Sequence, residues 1–452
     1  MNRVLIIVGL FTSLISCERP TKIQDVVVIG GGLMGSSAGW QLSKNGAKVL
    51  LIEQQDSIYT FGSSFGESRI SRSLGAQGDI MSFLQQRSVV ETKELIEYLN
   101  ESDSGMRHSM EDIYQTSPVT YIRYKSQKEE LNILLQEQQD TYEYAPDRET
   151  ARTLFGMEIP DSVIIIREYK QYSGTLNPKI LISKLHKGIT YTGSVILYNE
   201  KGISLKKINE LYEIQVENTK TGKLRTLFSK KIVAAAGPYN GELIQDVAPY
   251  FKELITPKRL FLAFLKINLT TYNSMSSKQR ERINQSFPVA DISSEIYYSM
   301  LENNDVEGLP ILKVGGHFLR TDIENIDEVW DMKLTENEVD WSKKSTAYYL
   351  QMLNLPIGQD DLEFVRGYSC VYSLTKSEFP YVTHIVDQNS KIDKSSVLVG
   401  GMSGVGAKGS LTYGLIATNL LLEKDDTSIM YQKTKNALGA DRLLNDILNL
   451  SK

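Results

Sequence analysis

A glycine-rich turn between two strands near the N-terminus constrains the fold of this chain more than any other feature. Residues 25–29 form a run of β-branched residues that is typical of a buried parallel strand, and the sequence GGGLMG follows at residues 30–35. Residues 36–45 predict a helix that Gly46 ends, and residues 48–52 predict the next strand. This order of strand, turn, helix and strand predicts the first unit of a doubly wound α/β fold.

The spacing of the turn glycines indicates a dinucleotide site. Gly30 permits the tight turn, Gly32 lets the backbone approach a pyrophosphate, and Gly35 lets the helix lie close to the sheet. Glu53, at the end of the second strand and about 20 residues after the turn, is placed to accept hydrogen bonds from ribose hydroxyls. That acid disfavours NADP, but the motif does not choose between FAD and NAD. The alternative is a glycine-rich loop of an unrelated α/β protein.

Composition excludes several other classes of protein. The chain has 452 residues, of which 41% are hydrophobic, which is enough for two or three cores. Its net charge is −5 and it has no Lys/Arg tract, so we expect no nucleic-acid partner. Two cysteines and four histidines argue against a structural zinc site and a disulfide scaffold, and we expect no metal. A single bridge between Cys17 and Cys370 stays open on composition alone.

Residues 1–21 predict an export signal with a short tether. A basic start precedes a mostly apolar run over residues 4–14, which is shorter than the roughly 20 residues that span a bilayer. Residues 14–17, Leu-Ile-Ser-Cys, resemble the lipobox of bacterial lipoproteins, which implies a lipid anchor on Cys17. We therefore expect a lipoprotein in the bacterial periplasm or at the membrane surface. The alternatives are an N-terminal strand or buried helix with Cys17 as a bystander, and a cytoplasmic protein.

The loop after the second strand carries an unusual pair of arginines. Residues 61–72, with sequence FGSSFGESRISR, place Arg69 and Arg72 three residues apart. Here the chain resembles the monomeric sarcosine oxidase and N-methyltryptophan oxidase family of D-amino-acid-oxidase-like flavoproteins, over about residues 22–430. The resemblance implies FAD as cofactor, Arg69 against the flavin ring, and Arg72 on the substrate carboxylate. Without the resemblance, two arginines here would indicate a solvated helix start.

Two later segments resemble family strands that face the substrate. Residues 295–298 resemble the strand whose tyrosine contacts the substrate carboxylate, and Tyr298 is the matching residue. In the strand predicted over residues 311–317, Lys313 and His317 share a face, and Gly315 leaves room between them. The resemblance implies that Lys313 lies by flavin N5 and assists oxygen, and that His317 lies in the substrate pocket. The alternatives are a packing tyrosine and a strand edge with a charged gatekeeper.

A cysteine motif in the last third of the chain resembles the site of flavin attachment. Cys370, Tyr372 and Thr375 match the Cys-x-Tyr-x-x-Thr pattern in which the family binds the flavin 8α carbon covalently. The chain departs from the family just afterwards, because Lys376 and Ser377 replace a proline and an acidic residue. This departure concerns flavin contacts more than the linkage. The alternative is a buried, small, apolar cysteine.

A second glycine-rich turn spans residues 400–410. A strand over residues 397–399 precedes it and a helix over residues 411–422 follows it, as in an anion-binding turn. The resemblance implies that this loop wraps the flavin pyrimidine through residues that include Gly404 and Gly406, and that Lys408 helps hold the substrate carboxylate. Val405 replaces a histidine that the family often has. The alternative is a flexible surface turn.

These motifs predict an α/β protein with a Rossmann-type FAD-binding domain and a discontinuous α+β substrate domain that carries a mixed sheet. The predicted division is as follows: a signal and tether over residues 1–21, an FAD-binding domain over residues 22–85, 165–245 and 366–430, a substrate domain over residues 86–164 and 246–365, and a C-terminal tail over residues 431–452. The return of the chain to the nucleotide sheet at residues 233–238 supports this order.

The resemblance implies an FAD-dependent enzyme that oxidises a secondary, N-methyl amino acid or a related amine to an imine. Molecular oxygen is the expected acceptor and hydrogen peroxide the product, with Lys313 and Arg69 stabilising negative charge as oxygen is reduced. Two alternatives stay open, namely a flavin dehydrogenase that passes electrons to a carrier and a non-catalytic surface lipoprotein. If Cys17 carries lipid and Cys370 carries flavin, no disulfide between them is expected.

Overall fold

A computed structural model describes residues 22–450 except 58, 75–77, 128–140, 292–297, 303, 318 and 388. The predicted signal over residues 1–21, its Cys17 and the start of the segment at residues 295–298 therefore lie outside the described residues. Among the residues that are described, no helix is long and apolar enough to cross a membrane.

The strands differ widely in length. In chain order they are β1 (Ile23–Ile29), β2 (Val49–Glu53), β3 (Arg69–Ser71), β4 (Tyr114–Thr116), β5 (Val119–Tyr124), β6 (Tyr142–Ala145), β7 (Val163–Glu168), β8 (Gly174–Leu176), β9 (Val195–Tyr198), β10 (Glu200–Ile208), β11 (Leu211–Asn218), β12 (Leu224–Ala234), β13 (Thr256–Ile267), β14 (Val289–Asp291), β15 (Tyr298–Leu301), β16 (Leu312–Gly315), β17 (Thr321–Asp322), β18 (Leu362–Leu374), β19 (Tyr381–Val386) and β20 (Ile392–Gly400).

The helices separate or cover these strands. They are α1 (Leu33–Lys44), α2 (Asp79–Ser102), α3 (Arg148–Phe155), α4 (Pro178–Tyr191), α5 (Asn240–Leu243), α6 (Phe251–Leu254), α7 (Leu269–Ser274), α8 (Ser277–Ser286), α9 (Ile326–Val329), α10 (Glu336–Met352), α11 (Ser410–Leu421), α12 (Ile429–Leu438) and α13 (Ala440–Leu450).

The first sheet is built around the strand that precedes the glycine turn. Its order is β10-β11-β12-β1-β2-β9, and β20 pairs with β12 while β19 pairs with β20. The pairs that β1 makes with β2 and β12 are parallel, as are β2 with β9 and β12 with β20. Residues 26–29 are all buried because α1, α4 and α11 cover one face and β10, β11 and α6 cover the other. The predicted Rossmann-type α/β unit is confirmed.

The second sheet has the order β17-β13-β16-β15-β14-β5-β7-β6, with β18 paired to β13. It is mixed, because β14 and β5 run parallel while the other pairs are antiparallel. Helices α8 and α10 cover one face with a core that includes Ile283 and Tyr349. The other face is left for the site. The predicted mixed sheet of the second unit is confirmed.

Strand pairing refines the predicted division of the chain. The motifs predict residues 165–245 and 366–430 in the nucleotide unit, but β7 and β18 pair with β5 and β13 of the second sheet. These partners lie far from them along the chain, so the order of motifs does not reveal the pairing. The predicted tail after residue 430 forms α12 and α13, where Tyr431 and Leu443 are buried and Asp446 accepts a hydrogen bond from Tyr381 Oη at 2.6 Å.

Candidate active site

The glycine turn is closed too tightly for side chains at two of its positions. Gly30 has φ +100°, and a Cβ atom there would lie 2.5 Å from the Ala235 carbonyl oxygen. A Cβ atom on Gly35 would lie 1.8 Å from the Gly30 carbonyl oxygen. Gly32 differs, because a Cβ atom there would meet only Ser64, at 3.1 Å from Oγ, so its backbone borders open space. The turn thus presents bare backbone at the N-terminus of α1.

Glu53 closes the other side of this turn. Its buried carboxylate accepts hydrogen bonds from the backbone N–H of Gly31 at 2.7 Å and of Gln55 at 2.8 Å. Burial raises the pKa of Glu53, and the two backbone donors oppose that increase. Tyr59 donates its hydroxyl hydrogen to the Gly31 carbonyl oxygen. The acid therefore lies at the carboxyl end of β2, where a nucleotide ribose would meet it.

A cavity of about 230 Å³ runs along the carboxyl ends of β1, β2 and β12. The turn, Glu53, the loop over residues 61–64, residues 235–239 and the second glycine loop line it. In that second loop a Cβ atom on Gly404 would lie 2.6 Å from the Tyr372 ring, and Gly406 borders the same space. Two cradles that side chains would fill, at the switch point of a parallel sheet, fit an FAD molecule.

A second cavity of about 90 Å³ adjoins the first. Both are lined by the same five residues, Ser63, Arg69, Tyr372, Gly404 and Ala407. The remaining wall of the second cavity combines apolar side chains of β13 and β15 with polar ones. The structure brings the predicted residues of this site together there: Arg69, Tyr298, Lys313, His317, Cys370, Tyr372 and Lys408 all line the second cavity.

Arg72 lies beside this cavity and is joined to its wall. The buried guanidinium donates from Nη2 to Tyr298 Oη at 2.6 Å and from Nη1 to the Leu74 carbonyl oxygen. Its Cζ atom lies 5.4 Å from the centroid of the Tyr298 ring and 5.9 Å from that of Tyr121. Arg72 follows β3, which belongs to a separate three-stranded sheet with β8 and β4. The contacts with Tyr298 and Tyr121 hold the guanidinium against the second sheet, next to the wall of the second cavity.

Lys408 is the second buried cation at this end. It lies in the second glycine loop and is 6% exposed. Burial, together with the positive charge of Arg72, lowers the pKa of Lys408 well below its ordinary value. Within the part of the chain that the structure describes, no carboxylate or other acceptor binds its ammonium group. A buried lysine of this kind is stabilised when an anion enters beside it.

Lys313 projects from β16 into the wall of the second cavity and is 1% exposed. Its Nζ atom donates to the Ser68 carbonyl oxygen at 2.8 Å, and Glu302 Oε1 lies 3.3 Å away. Burial and the charge of Arg69 lower the pKa of Lys313 to about 7, while Glu302 opposes that decrease. This lysine therefore changes charge close to neutral pH.

Arg69 is held by the loop that precedes it. Its Nη1 donates to the Ser68 carbonyl oxygen at 2.7 Å, and its Nη2 donates to the carbonyl oxygens of Ser63, at 3.1 Å, and of Phe65. These bonds fold residues 63–69 into a wall common to both cavities. The arginine is half-buried, not exposed as at a solvated helix start.

His317 lies on the wall between Tyr298 and Tyr372. Its Nδ1 is 3.5 Å from Tyr372 Oη, and Arg320 donates to its Nε2. Because a guanidinium only donates, Nε2 must be the acceptor, so the imidazole is neutral. Burial and the cations Arg320, Arg72 and Lys408 lower the pKa of His317 to about 2. This histidine thus contributes a neutral polar surface instead of a charge.

Cys370 lies on β18 at the wall of the second cavity and carries a free, buried thiol. Burial raises its pKa to about 11, and the cations Arg69, Lys313 and Arg259 oppose that increase. Two residues along the strand, Tyr372 borders both cavities. Thr375 does not line either one, since its Oγ1 donates to the Phe379 carbonyl oxygen at 2.7 Å and its N–H donates to Ser403.

Two charged residues of the site were not predicted from the sequence. Glu302 binds Lys313, and Arg320 binds His317 while its Nη1 donates to Glu378 at 2.8 Å. Arg320 carried a weak signal, since it follows His317 by three residues. Glu302 had none, because its contact with Lys313 depends on the pairing of β15 with β16.

Comparison with known proteins agrees with this geometry. The chain is 22% identical to monomeric sarcosine oxidase of Bacillus sp. (strain NS-129) over 393 residues, which is 86% of this chain and 90% of that protein. It is 22% identical to N-methyl-L-tryptophan oxidase of Yersinia pestis (strain Pestoides F) over 416 residues, covering 88% and 95% of the two chains. A probable sarcosine oxidase of Arabidopsis thaliana is 58% identical over 48 residues, but this alignment spans only 11% of this chain and 12% of that protein.

Solved structures share the fold. NikD, an unusual amino acid oxidase, aligns with a TM-score of 0.67 and 15% identity over 93% of this chain and 98% of its own. Glycine oxidase from Geobacillus kaustophilus aligns with a TM-score of 0.62 and 12% identity over 89% and 95%. The family match covers residues 25–420, from β1 to α11. This chain belongs to the FAD dependent oxidoreductase (DAO) family and is an FAD-dependent oxidoreductase.

Proposed function

We propose that the protein uses FAD to oxidise a secondary amino acid, such as an N-methyl amino acid, or a related amine to an imine. Oxygen is the proposed electron acceptor and hydrogen peroxide the product. The observation that carries this proposal is a pair of buried cations beside a small cavity that adjoins the dinucleotide cleft. Lys408 lines that cavity, and Arg72 donates a hydrogen bond to Tyr298 in its wall. The names of the two relatives aligned over most of the chain support an amino-acid substrate.

A substrate carboxylate is the anion that best matches these cations. The planar guanidinium of Arg72 can donate two parallel hydrogen bonds to one carboxylate, and Tyr298 holds its orientation. Lys408 gains a counter-ion when the carboxylate enters, and this raises its pKa back toward the charged form. Binding of an amino acid should therefore be accompanied by proton uptake at neutral pH.

The remaining cavity favours a small substrate with an apolar substituent. Its volume is about 90 Å³, and Leu260, Leu262 and Met300 contribute apolar side chains to the wall. A neutral His317 adds a polar but uncharged surface. Such a wall disfavours a protonated amine, so the substrate nitrogen is expected to react in its neutral form. When bound, FAD would act as the acceptor of a hydride equivalent from the C–H beside that nitrogen.

The residues that would hold FAD divide between its two ends. At the nucleotide end, Gly30, Gly32 and Gly35 give the pyrophosphate access to the start of α1, and Glu53 faces the ribose. At the ring end, the wall is made of the 400–409 loop and of β18, whose Cys370 is the proposed covalent attachment point. We therefore propose a covalent flavin thioether at Cys370.

Lys313 and Arg69 are the proposed residues for oxygen activation. Both line the second cavity, Arg69 also borders the first, and both are fixed by hydrogen bonds to the 63–68 loop. Preorganised cations stabilise negative charge as it develops on reduced oxygen, without the cost of reorienting water. A Lys313→Met variant should consume oxygen much more slowly while it still binds the carboxylate.

We also propose that Cys17 is lipidated and that the protein is anchored at a bacterial membrane surface. The support is the sequence alone, because an apolar run ends at the cysteine and a polar tether follows it. Membrane fractionation of the full chain and of a Cys17→Ala variant tests this. The wild-type protein should sediment with membranes and the variant should not, whereas soluble fractions for both would contradict the anchor.

Oxygen uptake tests the proposed reaction. The purified holoprotein is mixed with sarcosine, other N-methyl amino acids and the corresponding primary amino acids, with and without an artificial electron acceptor. We expect peroxide formation from oxygen alone with at least one secondary amino acid. Turnover that requires the artificial acceptor would instead indicate a dehydrogenase, and a colourless protein without turnover would indicate a non-catalytic lipoprotein.

A further inference from the structure

Glu302 is a largely buried carboxylate that contacts Lys313, one of the proposed residues for oxygen activation. It follows β15, where its N–H donates to the Ile311 carbonyl oxygen at 2.8 Å, and its side chain is 8% exposed. Its Oε1 atom lies 3.3 Å from Lys313 Nζ. Glu302 does not line either cavity, so it reaches the reacting groups only through the lysine.

Three oxygen atoms lie close to the ammonium group of Lys313. The Ser68 carbonyl oxygen lies 2.8 Å from Nζ, Ser68 Oγ lies at 3.3 Å, and Glu302 Oε1 lies at 3.3 Å. The first two acceptors are neutral, so Glu302 is the acceptor that brings a compensating charge. A lysine that is 1% exposed needs such a charge to remain an ammonium ion.

The other groups around Lys313 do not replace that charge. Among the described residues, the titratable side chains that interact with Lys313 or Glu302 include Arg69 of β3 and Tyr368 and Cys370 of β18. Arg69 repels the ammonium ion, and the raised pKa values of Tyr368 and Cys370 keep both groups neutral at neutral pH. Arg366 stacks on the Phe264 ring that Lys313 also contacts, and it adds a further positive charge.

We propose that Glu302 is a positioning residue that holds the Lys313 side chain at the wall of the second cavity and keeps it protonated there. The role of Lys313 in oxygen reduction rests on the proposed function, whereas the ion pair between Glu302 and Lys313 does not. Without the carboxylate, burial and Arg69 would leave a neutral amine at neutral pH. The protein would then lack the positive charge that Lys313 is proposed to add to that of Arg69 in the reduction of oxygen.

The test compares Glu302→Gln with wild type by following the protonation of Lys313 in the holoprotein. Nuclear magnetic resonance of isotope-labelled lysine side chains gives the titration midpoint, and a Lys313→Met variant identifies the signal. Loss of an opposite charge at this distance should lower the midpoint by about 1–3 pH units. The pH profile of flavin reoxidation by oxygen should move down by the same amount.

Two further variants make the result specific. Glu307→Gln is the matched control, because Glu307 binds Lys266 at 2.8 Å on the surface, and it should leave the Lys313 midpoint unchanged. Glu302→Asp keeps the charge but withdraws it by one methylene, so the midpoint should fall by less than in Glu302→Gln. It also decides the question if Glu302→Gln does not fold.

A Lys313 midpoint that stays at the wild-type value in Glu302→Gln, or in Glu302→Asp if only that variant folds, would overturn the proposal. The same holds if Glu307→Gln produces an equal shift. The nuclear magnetic resonance measurement does not depend on turnover. A protein that shows the expected shift but oxidises no amine would therefore contradict the proposed function and leave the ion pair intact.

Discussion

The two adjoining cavities are built on opposite principles. The nucleotide cleft is defined by the close approach of backbone atoms around Gly30 and Gly35, and its main carboxylate is satisfied by backbone N–H groups. The second cavity is bordered by buried charges, since Lys313 and Lys408 line it and Arg72 donates a hydrogen bond to its wall, and all three are less than 9% exposed. The cleft thus selects a ligand by shape, whereas the second cavity selects it by charge. Substitutions should affect the two regions in correspondingly different ways.

Gly35→Ala should have the largest effect, because the added methyl group changes the shape of the cleft. The added Cβ atom would lie 1.8 Å from the Gly30 carbonyl oxygen, and no rotation of a side chain can relieve a contact between two backbone-fixed atoms. We expect a destabilisation of about 1–3 kcal/mol or more and a protein that purifies without flavin. Flavin absorbance per protein chain and thermal unfolding measure these effects.

Gly105→Ala is the matched control for that substitution. Its Cβ atom would meet only Asp103 Oδ1, at 3.6 Å, in an exposed loop. It should keep its flavin. Equal flavin content in the two variants would show that the turn does not depend on shape.

Arg72→Leu should have the next largest effect, and it tests the importance of charge in the second cavity. Removing one side of a buried charge pair with the substrate costs about 2–5 kcal/mol, which corresponds to a loss of roughly 30-fold to 5,000-fold in kcat/KM. Lys408→Met should show a smaller loss of the same kind. Steady-state kinetics with an N-methyl amino acid give these values.

The control for these variants is a change of substrate. An N-methyl amine that lacks the carboxylate gains nothing from Arg72, so both variants should process it about as slowly as the wild type does. The surface variant Arg152→Leu, which loses only contacts with Glu158, should behave as wild type with both substrates. A loss of similar size with and without the carboxylate would mean that the cations have a structural function only.

Cys370→Ser tests the proposed attachment of the flavin at the wall of the second cavity, and it should have a moderate effect. We expect acid precipitation to give a yellow pellet for wild type, because the proposed thioether survives denaturation, and a yellow supernatant for the variant. The variant should still bind flavin, since Ser and Cys have similar volumes. The Cys17→Ala variant, which removes the other cysteine, should give a yellow pellet. Yellow pellets from all three proteins would rule out Cys370 as the attachment point.

The smallest effect concerns a histidine beneath the glycine turn. His186 is buried, its Nε2 lies 2.8 Å from Ser36 Oγ, and its Nδ1 lies 2.8 Å from Tyr198 Oη. Burial lowers its pKa to about 4. In the unfolded chain it takes up a proton below pH 6.5, whereas in the folded chain it stays neutral. Its contribution therefore makes the free energy of unfolding fall as the pH decreases from about 6.5 to about 4.

A His186→Gln variant should flatten that part of the curve by up to about 1.4 kcal/mol per pH unit. The difference is measured by denaturant unfolding of both proteins between about pH 4.5 and about pH 8. This range contains the pH values at which histidine ordinarily titrates. Above about pH 7 the two curves should run parallel. Parallel curves over the whole range would mean that the site beneath the turn does not exclude a charge.

The same contrast explains what could be predicted from the sequence. Gly30, Gly35 and Glu53 lie on consecutive elements, so their spacing alone predicts the turn, the parallel sheet and the dinucleotide cleft. Arg72, Tyr298 and Lys408 come from distant segments, and only the family resemblance placed them at one site. The division of the chain was less accurate at β7 and β18, because strand partners are chosen in three dimensions.

The residues that were missed are those that act through another side chain. In the sequence, Glu302 cannot be distinguished from an acidic residue on the surface. Its contact with Lys313 exists only because β15 pairs with β16. Arg320 lies only three residues from His317, but a contact to Nε2 requires the chain to fold back after β16. Neither spacing nor composition predicts such turns, and neither residue belongs to the motifs that carried the resemblance.

The most direct test of the account is anaerobic mixing of the holoprotein with a matched pair of substrates. One is an N-methyl amino acid and the other is the same amine without its carboxylate, and the flavin absorbance is followed over time. The account predicts fast bleaching by the amino acid, slow or no bleaching by the amine, and loss of that preference in Arg72→Leu. Equal bleaching by both compounds, or no bleaching by any secondary amino acid, would contradict it.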